Sequence, residues 1–409
     1  MTGSGAGRDR PGGRCRSTWL ATVPGVTTYL DHAASTPPRP EAREALDAWL
    51  DAANASAVHA AGQRARIAVE EAREHVATAV GASPHDVVFT SGGTEADNLA
   101  VKGVVWAARD RSRHVPHVVT TAVEHAAVLE PLRWLAARGD ARLTVVDVGR
   151  DGRAPVEAVL EAVGDDTVLV SVMTANNELG GVHDVAAIAA ALAEREVPVH
   201  TDAVQAMATL EVDVAASGVA ALAASAHKLG GPQGVGFAVL RRGLAVEPLA
   251  HGGGQDRGVR SGTFAAALDA ACGAAVRAAV ADRGRLRAQL ITLADRLAAG
   301  LTAIEGVRRN GPAEADQRLA SHVHVSVDGV DAAALALQLD RAGIAVASGS
   351  ACGSGAAAPS HVLTAAGVDG VPLRFSLGWT STPVDVERAV DVLTDVVPKL
   401  RRPVAGVSR

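Results

Sequence analysis

Short apolar runs alternate with longer amphipathic stretches along most of the chain, and each change of period marks a change of element. Apolar positions at helical spacing among Arg and Glu predict an amphipathic helix over 62–80, and a further helix is expected over 39–53. Continuous apolar runs bounded by turn residues predict buried strands at 86–90, 117–121, 142–146, 168–173, 197–201 and 222–225. Helices fall between most of them, one of them over 96–108, and a short strand at Tyr29 turns into a loop stopped by Pro37 and Pro38. This is the α/β pattern of a mostly parallel sheet covered on both faces.

After a long Ala- and Arg-rich helical region over 264–304 the rhythm changes. Strands at 321–327, 344–347 and 373–376 alternate with helices at 332–342 and 384–400, the last opened by Thr382 as N-cap and Pro383 as first helical residue. The expected organisation is a disordered extension over 1–25, a large α/β domain over 38–284, and a smaller α+β domain made of 26–37 and 285–409.

A chain of 409 residues is longer than one typical core requires, which agrees with that division. Its 48% hydrophobic content is carried by Ala, Val and Gly, and aromatics make up only 2%, so a flat ring bound here must pack on a histidine or on aliphatic groups. The net charge of −6 argues against nucleic acid as a direct partner, since phosphate binding wants a basic face. No stretch reads as a membrane span, and the Gly/Arg/Ser-rich start lacks the apolar segment of a signal peptide. Cys15, Cys272 and Cys352 lie far apart with no CxxC pair, which excludes a zinc ribbon or disulfide framework and suits a reducing cytoplasm. His114 with His117, or His322 with His324, lacks a clustered third ligand, so no metal is expected.

The chemistry concentrates at strand ends. In open α/β sheets ligands bind beyond the carboxyl ends of the strands, and there stand Glu124-His125, Asn176-Asn177, Asp202 to Gln205, and Ser225 to Lys228. Lys228 enters a glycine-rich turn between two apolar runs, a setting that favours the neutral amine used in Schiff-base chemistry; the plain alternative is a surface lysine in a hairpin. Ser91-Gly92-Gly93-Thr94 lies between a strand and a helix, an anion site by its free amides and helix dipole, or simple capping by Ser91 or Thr94. Together the set matches what pyridoxal phosphate requires. Lys228 forms the Schiff base and Asp202 pairs with the pyridine nitrogen. Gly93, Thr94, Ser225 and His227 hold the phosphate, His125 covers the ring and shuttles protons, and Asn177 and Gln205 reach the phenolate oxygen. A dinucleotide-binding reading lacks G-x-G-x-x-G spacing and leaves Lys228 unexplained.

Cys352 lies in a loop of small residues, 347–358, expected to be mobile. An unpaired thiol there suits a nucleophile that collects a group and carries it away, whereas Cys272 reads as a small core hydrophobe.

The motifs YLDHAAST, FTSGGTEADNLAVKG, VEHAAV, NNELG, HTDAVQA, SAHKLGGPQGVG, HGGGQDRGVRSGT, SGSACGSGAAAPSHVL and LRFSLG occur in this order. With them the chain resembles the cysteine desulfurases of the IscS/NifS-like group, a branch of the class V aminotransferases with the pyridoxal-phosphate fold type I. The resemblance implies a large domain with a mostly parallel seven-stranded sheet, the smaller domain carrying the cysteine loop, and a cytoplasmic homodimer. It implies a sulfurtransferase that converts L-cysteine to L-alanine, with the sulfur held as a persulfide on Cys352. Lys228 and His125 share the catalysis, Arg374 and Asn177 bind substrate, and Thr263 reaches the cofactor from the second subunit. The sulfur would pass to an acceptor protein, an iron–sulfur scaffold or a tRNA thiolation enzyme. Selenocysteine lyase, or another lyase or aminotransferase of the class, is the alternative activity. Ala226 stands where glycine is usual in the family, and Ala126 where lysine is common.

Overall fold

A computed structural model describes residues 28–111, 114–348 and 360–401. Its first half runs β1 (Thr28–Tyr29), α1 (Pro40–Trp49), α2 (Ala60–Ala79), β2 (Val87–Thr90), α3 (Gly93–Arg111), β3 (His117–Thr121), α4 (Ala126–Ala137), β4 (Arg142–Val146), α5 (Val156–Glu161), β5 (Thr167–Ser171), α6 (Val185–Leu192) and β6 (Val199–Asp202). The second runs α7 (Val214–Ser217), β7 (Ala221–Ser225), β8 (Gly236–Leu240), α8 (Ala266–Thr302), β9 (Val307–Asn310), β10 (His322–Val327), α9 (Ala332–Arg341), β11 (Ile344–Ala345), β12 (Ala347–Ser348), α10 (His361–Ala365), β13 (Val371–Ser376) and α11 (Pro383–Arg401).

Seven strands form the main sheet in the order β2-β8-β7-β6-β5-β3-β4. Helical crossovers make β3, β4, β5, β6 and β7 mutually parallel. A hairpin connection instead turns β8 antiparallel to β7 and to β2. Every residue of β2, β3, β7 and β8 is buried, as expected for strands covered on both faces, whereas β4 is an edge strand with Arg142 exposed. Gly236 starts β8 where any side chain would collide: a Cβ there would lie 2.6 Å from the Ala224 carbonyl oxygen and 2.7 Å from the backbone of Gly92. The close approach seats β8 between the Lys228 turn and the start of α3.

A second, antiparallel sheet has the order β12-β13-β10-β9, and β1 pairs with β11 as a short parallel ribbon. One apolar core gathers around the main sheet, with Val69, Val76, Leu222 and Phe237 at its centre. Another gathers around the small sheet, built from Leu30, Val325, Leu373, Phe375 and Leu393. The helix α8 belongs to both, burying Ala266, Cys272 and Val276 in the first and Leu286, Leu290, Leu293 and Leu297 in the second.

The α/β class, the seven-stranded sheet and the added α+β unit agree with the expectation from the sequence. The strand β9 and the short helix α10 were not expected, and two expected elements end or break differently. The helix expected to continue to 53 ends at Trp49, because Asn54 accepts from the Ser56 amide and commits the chain to a turn. The strand expected over 344–347 is two short strands, since β11 pairs with β1 while β12 pairs with β13. The extension over 1–25 and the loop residue Cys352 lie outside the described residues. Among the described residues no helix is long and apolar enough to cross a membrane.

Candidate active site

The carboxyl ends of β3, β5, β6 and β7 open onto a cleft of about 290 Å³. It is lined by Gly93, Thr94, His125, Asn177, Asp202, Gln205, Ser225, His227, Lys228 and Arg374, with Ala33, Ala34, Asp97, Met173 and Val204 beside them. The sheet brings these segments together for a plain reason. Parallel strands all end on the same edge, so the residue after each strand faces its neighbours' equivalents.

Lys228 ends a single 3₁₀ turn after β7 and is half-buried. Its Nζ donates to the carbonyl oxygens of Ala33 (2.5 Å) and Ala34 (2.8 Å). The loop that offers them is itself fixed: His32 N donates to Ser376 O, and Ala33 N to Ser376 Oγ at 2.8 Å. Gln205 Nε2 also donates to Ala33 O (3.0 Å), so Gln205 and Lys228 share one acceptor.

Asp202 is buried at the end of β6, with Oδ1 accepting from Val204 N at 2.8 Å. Burial raises its pKa, and His125, the Val204 amide and Lys228 pull it back down. His125 caps α4 by accepting from Ala127 N on Nδ1 (3.1 Å), which leaves the proton of the neutral ring on Nε2. Burial, assisted by Lys228 and His361, lowers its pKa below the ordinary imidazole range. His227 is pushed down to about 4 by burial and then by Lys228, and its Nδ1 lies 3.3 Å from Ser35 Oγ. Near neutral pH the site therefore holds neutral imidazoles beside a lysine and a buried acid.

The helix α3 starts at Gly93, and its first amides have no carbonyl partner within the helix. Glu95 accepts from Ser91 N at 2.6 Å and pairs with Arg260, tying the turn before the helix to the Arg260 segment. A Cβ at Gly93 would lie 2.8 Å from Val204 Cγ2, so only glycine lets the helix start come this close to the loop after β6.

Arg374 on β13 is buried, with Nη1 donating to Asn177 O (2.9 Å) and Nη2 to Asp31 Oδ1 (2.8 Å). Its Nε has no partner. That nitrogen is shut off from solvent, while the residue as a whole lines the cleft, where a guanidinium suits a carboxylate.

Thr263 is exposed and does not line this cleft. A larger cleft of about 650 Å³ lies beside its segment, lined by Arg66, Arg73, Asp256, Arg257 and Phe264, and holds none of the predicted residues. Two acids lie in and behind the active cleft: Asp97 was not anticipated, and Glu124 was expected at its strand end but without a role. Asp97 lines it from α3, and Glu124 is fully buried with Oε1 accepting from Thr121 Oγ1 and Met173 N, both at 2.8 Å. Asp97 sits among Ala96, Leu99 and Ala100 on the apolar face of its helix, and that phase is the signal that could have revealed it. Among the described residues no three His, Cys, Asp or Glu side chains could together hold a metal.

Comparison with known proteins gives the same picture. A family model, aminotransferase class-V, matches residues 28–389. The chain is 45% identical over 392 residues to an IscS-like cysteine desulfurase of Mycobacterium tuberculosis, covering 93% of this chain and 100% of that one. Among solved structures, a NifS-like protein superposes with a TM-score of 0.84 at 30% identity, covering 91% of this chain and 100% of the other. A protein described as SspA in complex with cysteine gives 0.74 at 31% identity, covering 86% and 99%. A match of this length, on a fold whose strand ends carry the lysine, acid and imidazole, means that the chain belongs to the class V aminotransferase family, in the branch of the IscS- and NifS-like cysteine desulfurases.

Proposed function

We propose that the protein is a pyridoxal-phosphate-dependent cysteine desulfurase that converts L-cysteine to L-alanine and keeps the sulfur as a persulfide on Cys352. The observation that carries this is the convergence of Lys228, Asp202 and His125 on one cleft that also contains a helix N-terminus and Arg374. The residues fit the cofactor. Gly93, Thr94, Ser225 and His227 stand where they would hold its phosphate, Asp202 would meet its ring nitrogen, and Asn177 and Gln205 would reach its phenolate oxygen. His125 would lie over the ring, in a chain with few aromatic residues to do so.

Bound pyridoxal phosphate supplies an aldehyde for an amine and a sink for the electron pair released at the substrate Cα. The protein's own groups do the rest. Lys228 would hold the cofactor, and the Ala33 and Ala34 carbonyls would receive its ammonium whenever it is free. Arg374 would receive the substrate carboxylate, while Asp31 and the Asn177 carbonyl orient the guanidinium. Neutral His125 and Lys228 carry protons between substrate atoms. The Cys352 thiolate attacks the substrate sulfur; the Cβ–S bond breaks, its electron pair stays on carbon with a proton, and alanine leaves.

A homodimer is part of the proposal. Thr263 faces solvent away from its own cleft, next to the 650 Å³ hollow, and Val58 (90%) and Ile67 (57%) are exposed on the nearby α2 region. A second subunit would cover these groups and receive Thr263 at its cofactor. The sulfur acceptor is proposed to be an iron–sulfur scaffold or a tRNA thiolation enzyme, and the reducing cytoplasm suits a persulfide carrier.

The test is direct. Cys352→Ser should keep the cofactor's visible absorbance but form no alanine from cysteine and no protein persulfide. Lys228→Ala should fail to attach the cofactor covalently. Full turnover by Cys352→Ser would remove the proposed sulfur carrier.

A further inference from the structure

Asp97 is a carboxyl that the mechanism above does not use. It lies on α3 one turn beyond Gly93, is 1% exposed, and shares the cleft with Asp202. Its Oδ1 has no hydrogen-bond partner. Nε2 of His200 lies 3.5 Å away and is equally unpartnered. His200 is fully buried on β6, two residues before Asp202 and so on the same face of that strand. Its other nitrogen, Nδ1, is 2.9 Å from Ser171 Oγ on β5.

Two orphaned polar atoms facing each other in a dry interior are both costly, and one proton between them satisfies both. The surroundings decide which residue brings it. Asp202 from β6 and Glu124 from the turn after β3 both press negative charge towards Asp97, and burial acts in the same direction. Two neighbouring carboxyls away from water do not both ionise readily, so one of them keeps its proton. His125 and Lys228 act on Asp202 and favour its charge.

We propose that Asp97 is a positioning residue that works protonated. Its O–H donates to His200 Nε2, His200 passes an Nδ1–H to Ser171, and Asp202 is left as the single carboxylate presented to the pyridine nitrogen. The proposal rests on the cofactor reading given above.

The experiment compares Asp97→Asn with the parent, cofactor-free and loaded with pyridoxal phosphate. The amide can donate to His200 as the protonated acid does. In the unfolded chain an aspartate loses its proton near about pH 3.9. A folded Asp97 that holds its proton to higher pH costs the parent stability as pH rises, and the amide does not. The cofactor-free variant is therefore expected to melt above the parent, by a margin that grows from about pH 5 to about pH 8. Cofactor uptake should stay within about threefold of the parent. The parent-minus-variant infrared spectrum at neutral pH should show a protonated carboxyl band. A variant that melts below the parent by a widening margin, or does not fold, or a difference spectrum with only a carboxylate band, overturns the proposal. A parent that takes up no pyridoxal phosphate overturns the cofactor reading, and the role toward Asp202 with it, even if the melting curves behave as expected.

Discussion

Lys228 rests its nitrogen on two carbonyls almost two hundred positions earlier in the chain, at Ala33 and Ala34. Lys228, Asp202 and His125 were legible in the sequence because each ends a strand or comes within four residues of its end, where an unusual residue stands out. The carbonyl rest was not legible, since backbone acceptors leave no trace in residue identity. Asp97 escaped because an acid inside TEADN reads as a solvent-facing helix residue until its helical phase is weighed. At this scale two outcomes are expected. Arg374→Lys should raise the KM for cysteine about tenfold or more, because one ammonium cannot hold Asp31, the Asn177 carbonyl and a substrate carboxylate in one plane. Initial-rate kinetics check this, and an unchanged KM would place the carboxylate elsewhere. Gly236→Ala should lower stability by about 1–3 kcal/mol, because its methyl would meet the Ala224 carbonyl at 2.6 Å; urea unfolding measures it.

The elements were read best where their period was strong and worst where a turn residue or a partner strand overrode it. The long helix expected over 264–304 is α8, within two residues at each end. The break between β11 and β12 comes from their different partners, which only the tertiary fold supplies. The start of α11 shows local chemistry at work. Thr382 N and Oγ1 donate to Asp385 Oδ2 at 2.9 and 2.7 Å, and Asp385 N lies 3.4 Å from Thr382 Oγ1, a reciprocal cap. Thr382→Ala should cost about 1 kcal/mol in a urea titration, with Thr382→Ser recovering most of it. An equal loss in both variants would assign the effect to the threonine methyl.

Across the whole molecule, buried histidines set the acid side of stability. Burial pushes His32, His200 and His322 down to about 3 and His183, His227 and His324 to about 4. The unfolded chain takes up protons on histidine near about pH 6.5, so it binds more protons than the native state below that pH. Stability should therefore fall as pH drops from about 6.5 towards 3–4, and melting temperature against pH should show it. Glu124, raised by burial to about 8, and Asp269, raised to about 7, act oppositely, removing stability as pH climbs through those values. In a chain carrying Glu124→Gln and Asp269→Asn, whose carboxyls otherwise offset the histidines, a melting temperature that stays flat from neutrality to pH 4 would mean that the histidines titrate as they do in water. The two cores share α8, so they should unfold in a single transition.

Residues 28–36 are stitched into strands made more than three hundred codons later: β1 lies along β11, Asp31 grips Arg374, and Ala33 hangs from Ser376. During translation the main sheet has all its strands once β8 emerges, yet Arg374 and the Ser376 anchor of the Ala33 loop arrive only with β13. A stop codon placed just before β13 should therefore release a protein that makes no alanine from cysteine, whether or not it is coloured.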